Sequence, residues 1–174
     1  MEKLFKLLSD AQASLFVLFH KTWVYHWNVV GQDFQQLHTL FGGQYETMFE
    51  EIDRLSEHMR YLNVKPLSSL NRVLEVSKIK EASSSANAES MISDLLQSNN
   101  DFCDIMRSIS EEAETQKQYA TANLVQDLME SHGKFVWMLR SFTDSGSKKV
   151  QEEIEEILEF EEQIIEEVEE TTEE

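Results

Sequence analysis

A single proline, Pro66, interrupts 174 residues, and only five glycines join it. With so few helix breakers, and long runs in which apolar residues recur every three or four positions, the chain reads as all-α. Leu4, Leu8, Ala11, Leu15, Leu18, Thr22 and Tyr25 alternate steps of four and three, which puts them on one face of a first helix from about Lys3 to Val29. Gly31 ends that helix. A second helix is expected from Asp33, a residue suited to the N-cap, to Leu62. Pro66 stops it by removing a donor and by biasing Lys65 away from helical backbone. A short helix should cover Ser68 to Val76, ahead of the polar connector KEASSSANAES. A third helix from about Ala88 to Glu114 turns Met91, Leu95, Phe102, Ile105, Met106 and Ile109 inward, and a fourth runs from about Ala120 to Phe142. Residues 1–146 thus read as one four-helix bundle with a short helix between the second and third.

Residues 147–174 read as a separate, acidic amphipathic helix. Val150, Ile154, Ile157, Leu158, Ile164, Ile165 and Val168 form its apolar stripe, and its other faces are nearly all Glu. One reading is a solvated appendage; the other is a helix that docks on a neighbour or a cationic partner. Burying one aliphatic side chain is worth roughly 1.5–3 kcal/mol, so even partial burial of the stripe offsets helix ordering. Deleting residues 147–174 is therefore expected to lower the melting temperature or change the oligomer. A melt and a particle mass identical to those of the full chain would identify a free appendage.

Charge narrows the possible partners. The net charge is −18. From Ser147 onward there are 13 Glu against 2 Lys, a net −11, which leaves −7 for the preceding residues with 20 acids and 13 bases. Neither part suits strong binding to DNA, because phosphate contacts need Lys and Arg. The lone Cys103 cannot form an internal disulfide, which fits a cytoplasmic setting. No apolar run approaches the roughly 18 residues of a membrane span, and MEKLFKLLSD is amphipathic rather than a signal peptide.

The stretch YHWNVVGQDFQQLHTLFGG places His26 and His38 on either side of Gly31. Folded back across that glycine, both histidines sit roughly 8–10 Å from the turn, level with each other. They can converge on a metal, or they can be two hydrogen-bonded core histidines. Asp53 and Glu57, four apart on the second helix, share a face. Like charges so placed are mildly unfavourable unless a cation lies between them. Asp53 lies roughly 22 Å along the axis from His38, so one chain cannot bring both to one ion. Two copies of the second helix, packed antiparallel about a two-fold axis, can, with two sites per dimer.

Several of these blocks, in this order, resemble the Dps mini-ferritins, the DNA-protection-during-starvation branch of the ferritin-like superfamily. YHWNVVGQDFQQLH is similar to the family's signature across its first two helices, and DRLSEHMR to its acidic ferroxidase segment. KPLSSLNRVLEVSKIKEA resembles its short intervening helix, and KFVWML its fourth-helix tryptophan segment; the likeness covers about residues 8 to 143. It implies a ferritin-like four-helix bundle that assembles from two-fold dimers into a hollow dodecamer, oxidises ferrous iron, preferably with hydrogen peroxide, and stores the ferric mineral. By position, His26 and His38 become iron ligands from one subunit, and Asp53 and Glu57 ligands from its two-fold mate, in a two-iron site. Trp27 resembles the family's electron-donating tryptophan, although a packed aromatic explains it equally well.

The match has gaps. The family usually places a carboxylate four residues after the second histidine, where this chain has Gly42 followed by Gly43. Each glycine within a helix costs roughly 1 kcal/mol relative to alanine, so close packing at the two-fold axis is expected there. Glu46 is the nearest acid on that face, roughly 6 Å further on. With one anionic ligand missing, the second iron should bind weakly. The family's pore-lining aspartate is matched by Asn123, with Asp127 and Glu130 as substitutes. The family's Lys-rich DNA-binding terminus has no counterpart. His58 reads as a surface residue, and His20 and His132 have no assigned role. Three functions therefore stand: an iron-oxidising, iron-storing cage; a structural or interaction cage with an impaired ferroxidase site; and, least compatible with the charge, a DNA-compacting protein.

Overall fold

The computed structural model describes residues 1–143; the acidic tail and its apolar stripe lie outside the described residues. Five helices follow in order: α1 (Glu2–Asn28), α2 (Phe34–Tyr61), α3 (Leu70–Val76), α4 (Ala88–Thr115) and α5 (Tyr119–Arg140). No strand occurs among the described residues. The helices expected within the described residues are all present, with ends shifted by one or two residues, as fraying allows. Phe142 lies in a turn beyond α5 rather than in it. Asp33 stands at the N-cap of α2 but makes no side-chain cap bond, whereas Asn87 caps α4 by accepting from the Ser90 N–H at 2.9 Å.

The helices form two antiparallel hairpins. Gly31, at φ 121°, occupies backbone that a side chain would strain, and lets α2 return along α1. The α4–α5 hairpin turns at Lys117, and α3 lies in the long crossover between the pairs. All seven residues of the first helix's stripe, Leu4 to Tyr25, are buried, and Met91, Leu95, Phe102, Met106 and Ile109 of α4 face them across the core. Ile105 packs at the core's margin.

Polar anchors fix how the hairpins pair. The fully buried Lys21 donates to Asp94 Oδ1 at 2.7 Å and to Ser98 Oγ at 2.9 Å, which satisfies an ammonium that would otherwise be costly to bury. The Tyr25 hydroxyl donates to Asp94 Oδ2 at 2.6 Å and accepts from the Ser83 N–H at 3.1 Å. Burial and the Asp94 carboxylate together push this phenol up to about 12. The polar connector before α4 is thus tied to α1. No helix among the described residues is long and apolar enough to cross a membrane.

Candidate metal centre

α1 and α2 bring His26 and His38 face to face. Their rings stack with centroids 3.8 Å apart and planes 20° from parallel. Each ring is tethered to the other residue's backbone: His26 Nδ1 lies 2.7 Å from the His38 carbonyl oxygen, and His38 Nδ1 lies 2.9 Å from that of His26. A carbonyl can only accept, so each Nδ1 carries the proton and donates. In the neutral rings this leaves both Nε2 atoms with a lone pair. A backbone acceptor that fixes the tautomer and the ring plane is the usual outer support of a metal-binding histidine. The Tyr45 ring then closes on His26 edge-on, at 5.2 Å between centroids, and Phe34 stacks on His38 at 5.1 Å.

Asp53 and Glu57 stand one turn apart on the exposed face of α2. They do not join the histidines: no group of three or more His, Cys, Asp or Glu able to hold a metal occurs within one chain among the described residues. Within a single chain the imidazole pair and the carboxylate pair are therefore separate. Two imidazole nitrogens with two carboxylates suit a first-row divalent ion such as ferrous iron.

Gly42 has a close neighbour within its own chain. A Cβ there would meet the chain's own His26, 3.3 Å from Cε1 and 3.4 Å from Nδ1. The imidazole occupies the space above the glycine, which is an intrachain reason for it. At Gly43 a Cβ would meet nothing within 4 Å.

Trp27 is 54% exposed, and its ring packs on Trp23 at 4.6 Å. The aromatic against His26 is Tyr45, which sequence reasoning passed over, although it lies seven residues from His38 and hence on the same helix face. Asp127 forms an exposed ion pair with Arg54 at 3.1 Å, while Asn123 and Glu130 are exposed on α5.

Two histidines have structural partners. His58 is half-buried and bonds the Thr121 hydroxyl through Nε2 at 2.8 Å, joining α2 to α5, so it is not the surface residue expected. Burial pushes its basicity down. As the pH falls below about 6.5, the unfolded chain takes up a proton here that the folded chain resists, so this site weakens the fold on acidification. His58→Gln is expected to flatten the decline in melting temperature between neutral and mildly acid pH; an unaltered decline would place the sensitivity elsewhere. His132, fully buried, meets Asn99 Oδ1 at 2.6 Å through Nδ1 and Glu51 Oε2 at 3.0 Å through Nε2. The Asn99 amide is oriented by donating to the Leu95 carbonyl at 2.7 Å. This ladder links α2, α5 and α4 through the core.

Comparison with known proteins agrees with this architecture. The Ferritin-like domain family model matches residues 5–148. A DNA protection during starvation protein of Brevibacillus brevis is 33% identical over 116 residues, 63% of this chain and 76% of that one. A low temperature-induced protein of Nostoc sp. is 37% identical over 92 residues, 52% of this chain, and the match spans only 51% of that relative's own length. Among solved structures, the Dps protein of Vibrio cholerae O1, described as a member of a broad superfamily of ferritin-like diiron-carboxylate proteins, superposes with a TM-score of 0.77 at 30% identity, covering 81% of this chain and 89% of that one. With its paired hairpins, its short crossover helix and these relatives, the chain belongs to the ferritin-like family, and within it to the Dps mini-ferritins.

Proposed function

We propose that the chain assembles from two-fold dimers into a closed homo-oligomeric cage, a dodecamer, in the cytoplasm. The cage takes up ferrous iron, oxidises it with hydrogen peroxide and stores the ferric product, which protects against oxidative damage. The iron site lies between subunits, with His26 and His38 from one and the partner subunit's Asp53 and Glu57 completing it. The observation that carries this reading is the reciprocal tether of the two imidazoles. It uses both Nδ1 atoms as donors to the backbone and leaves each neutral ring an Nε2 lone pair for a metal. The diiron-carboxylate description of the Vibrio relative supports the choice of metal. Iron is substrate and cargo here: the histidines bind and orient it, and the carboxylates neutralise its charge.

Gly42 favours a second reading, a cage that keeps the fold but oxidises poorly, because a glycine supplies no side-chain ligand. Anaerobic titration with ferrous iron followed by hydrogen peroxide separates the two. Saturable binding and rapid appearance of ferric absorbance are expected; an assembled particle that binds no iron and leaves the oxidation rate at that of buffer refutes the iron reading. The same preparation is expected to leave duplex DNA unshifted in a gel at physiological salt without added divalent cation, given the acidic body and tail. Retarded DNA under those conditions would overturn the charge argument.

A further inference from the structure

We propose that the groove between α2 and α5 binds a phosphate group that still carries a proton, either inorganic phosphate or a small phosphomonoester. The inference is independent of the iron reading, because none of its residues belongs to the proposed iron site. The groove has a volume of about 480 Å³, within the range of small-molecule sites. Leu40, Phe135 and Met138 supply its apolar walls. Gly43 leaves the α2 side open, since a Cβ there would meet nothing within 4 Å.

Two features set this groove apart. The first is an orphaned amide. Gln44 borders the groove and is buried, yet neither its Nε2 nor its Oε1 has a hydrogen-bond partner among the described residues. Buried amides normally satisfy both atoms, because desolvation without a bond is costly. With nothing tethering it, this amide is free to turn into the groove, where it offers donors and an acceptor together.

The second feature is charge. Lys134 borders the groove and forms no ion pair among the described residues. On its other side it neighbours Asp127 and Glu130. Asp127, however, is paired with Arg54 at 3.1 Å, and Glu130 makes no ion pair with Lys134. Four other grooves of this acidic bundle each carry a carboxylate, such as Glu81 beside His20 and Glu46 beside Trp23. This one carries none. The hydroxyls differ as well. Thr39 and Thr47 direct their hydrogens to the carbonyls of Gln35 and Gly43, at 2.8 and 2.9 Å. Ser131, three residues before Lys134 and so on the same face of α5, makes no such bond among the described residues, and its O–H is available.

These groups select a ligand. Lys134, Ser131 and Gln44 Nε2 donate, whereas Gln44 Oε1 can only accept. The complement is an anion with several acceptor oxygens and one hydrogen of its own. Protonated phosphate has both, and lysine binds it as a point charge. Sulfate is fully ionised at neutral pH and has no hydrogen for Gln44 Oε1, and a DNA phosphodiester lacks one too. The wrong anion leaves that acceptor unpaired, and this is the source of discrimination.

The test uses the assembled, iron-free full chain at neutral pH and constant ionic strength. It is titrated calorimetrically with inorganic phosphate, phenyl phosphate and sulfate, and melted in each. Saturable binding of a phosphate, one per subunit, is expected, with a raised melting temperature and sulfate weaker by at least about tenfold. Saturation by inorganic phosphate alone identifies the free ion as ligand; tighter binding of phenyl phosphate identifies a monoester seated on the apolar walls. Gln44→Leu removes the unpaired atoms. It is expected to assemble, to melt no lower than the parent without phosphate, and to lose the preference for phosphate over sulfate. Lys134→Gln, at an exposed position with no ion pair to lose, is expected to weaken phosphate at least about tenfold and to leave the phosphate-free melt unchanged. It carries the test should Gln44→Leu fail to assemble. No saturable phosphate binding, as when water alone fills the groove, overturns the proposal. So does sulfate bound as tightly as phosphate, or phosphate binding unchanged in Lys134→Gln. Because no iron is present, either result leaves the iron reading as it stood.

Discussion

Replacing His38 and Asp53 together by alanine is expected to abolish tight ferrous binding at every site while the particle remains assembled. Loss of an outer support alone typically costs roughly 10–100-fold in metal affinity. On the proposed assignment two direct donors go, one from each half of the site, and the fall should exceed that range. The fold has little to lose. His38 contributes one hydrogen bond to the His26 carbonyl, worth about 1 kcal/mol net. Asp53 is exposed and enters no ion pair among the described residues. Calorimetric titration with ferrous iron and a mass measurement check both halves of the claim; unchanged stoichiometry in the double variant would sink the ligand assignment. The single variants add a sharper test. If the site is shared, a mixed dimer of His38→Ala and Asp53→Ala subunits has one site lacking both donors and one site intact. Co-assembly of two inactive proteins should therefore restore binding. A mixture as inactive as its components would mean that each site is built within one subunit.

Much of this arrangement was legible in the sequence because it depends on spacing along helices. Breakers at Gly31 and Pro66 fixed the helix ends, and an antiparallel return across Gly31 made His26 and His38 level. The same rise per residue kept Asp53 away from His38, and the structure keeps them apart. Rotation about helix axes was harder to read. Whether an imidazole turns its Nδ1 to a carbonyl or to water depends on a few degrees of helix phase, so the reciprocal tether had no sequence signal. Gly42 illustrates the same point: its neighbour, His26, comes from another helix. The His132–Glu51–Asn99 ladder did leave a trace. Val125, Leu128, His132, Phe135 and Leu139 form one buried stripe of α5, and Met48, Glu51, Leu55 and Met59 one of α2. Extending those stripes through their polar members would have placed His132 and Glu51 inside, and burial then requires that they find partners.

Two substitutions at Gly42 separate the two explanations of that glycine. Gly42→Ala tests space alone. Its Cβ would lie 3.3 Å from His26 Cε1, so the imidazole must yield by a few tenths of an ångström. The ring has little freedom to do so, held at 2.7 Å to the His38 carbonyl and stacked at 3.8 Å on the His38 ring. The backbone effect runs the other way, since alanine in a helix interior is favoured over glycine by about 1 kcal/mol. The expected result is an unchanged or raised melting temperature together with weaker ferrous binding, a divergence that general destabilisation does not produce. Gly42→Asp carries the same Cβ and adds a carboxylate one turn from His38 on the same face. Beside bound dications, in a site partly shielded from water, that charge is attractive well beyond its value in bulk solvent. It should more than offset the displaced ring, giving tighter binding of a second iron than either the parent or Gly42→Ala, and faster oxidation by peroxide. Binding isotherms, oxidation rates and particle mass on the three proteins decide the matter. If Gly42→Ala binds iron as the parent does, the close approach of His26 is not what selects glycine. If Gly42→Asp assembles normally but gains nothing over Gly42→Ala, position 42 is not a ligand position, and the donors already present complete the site.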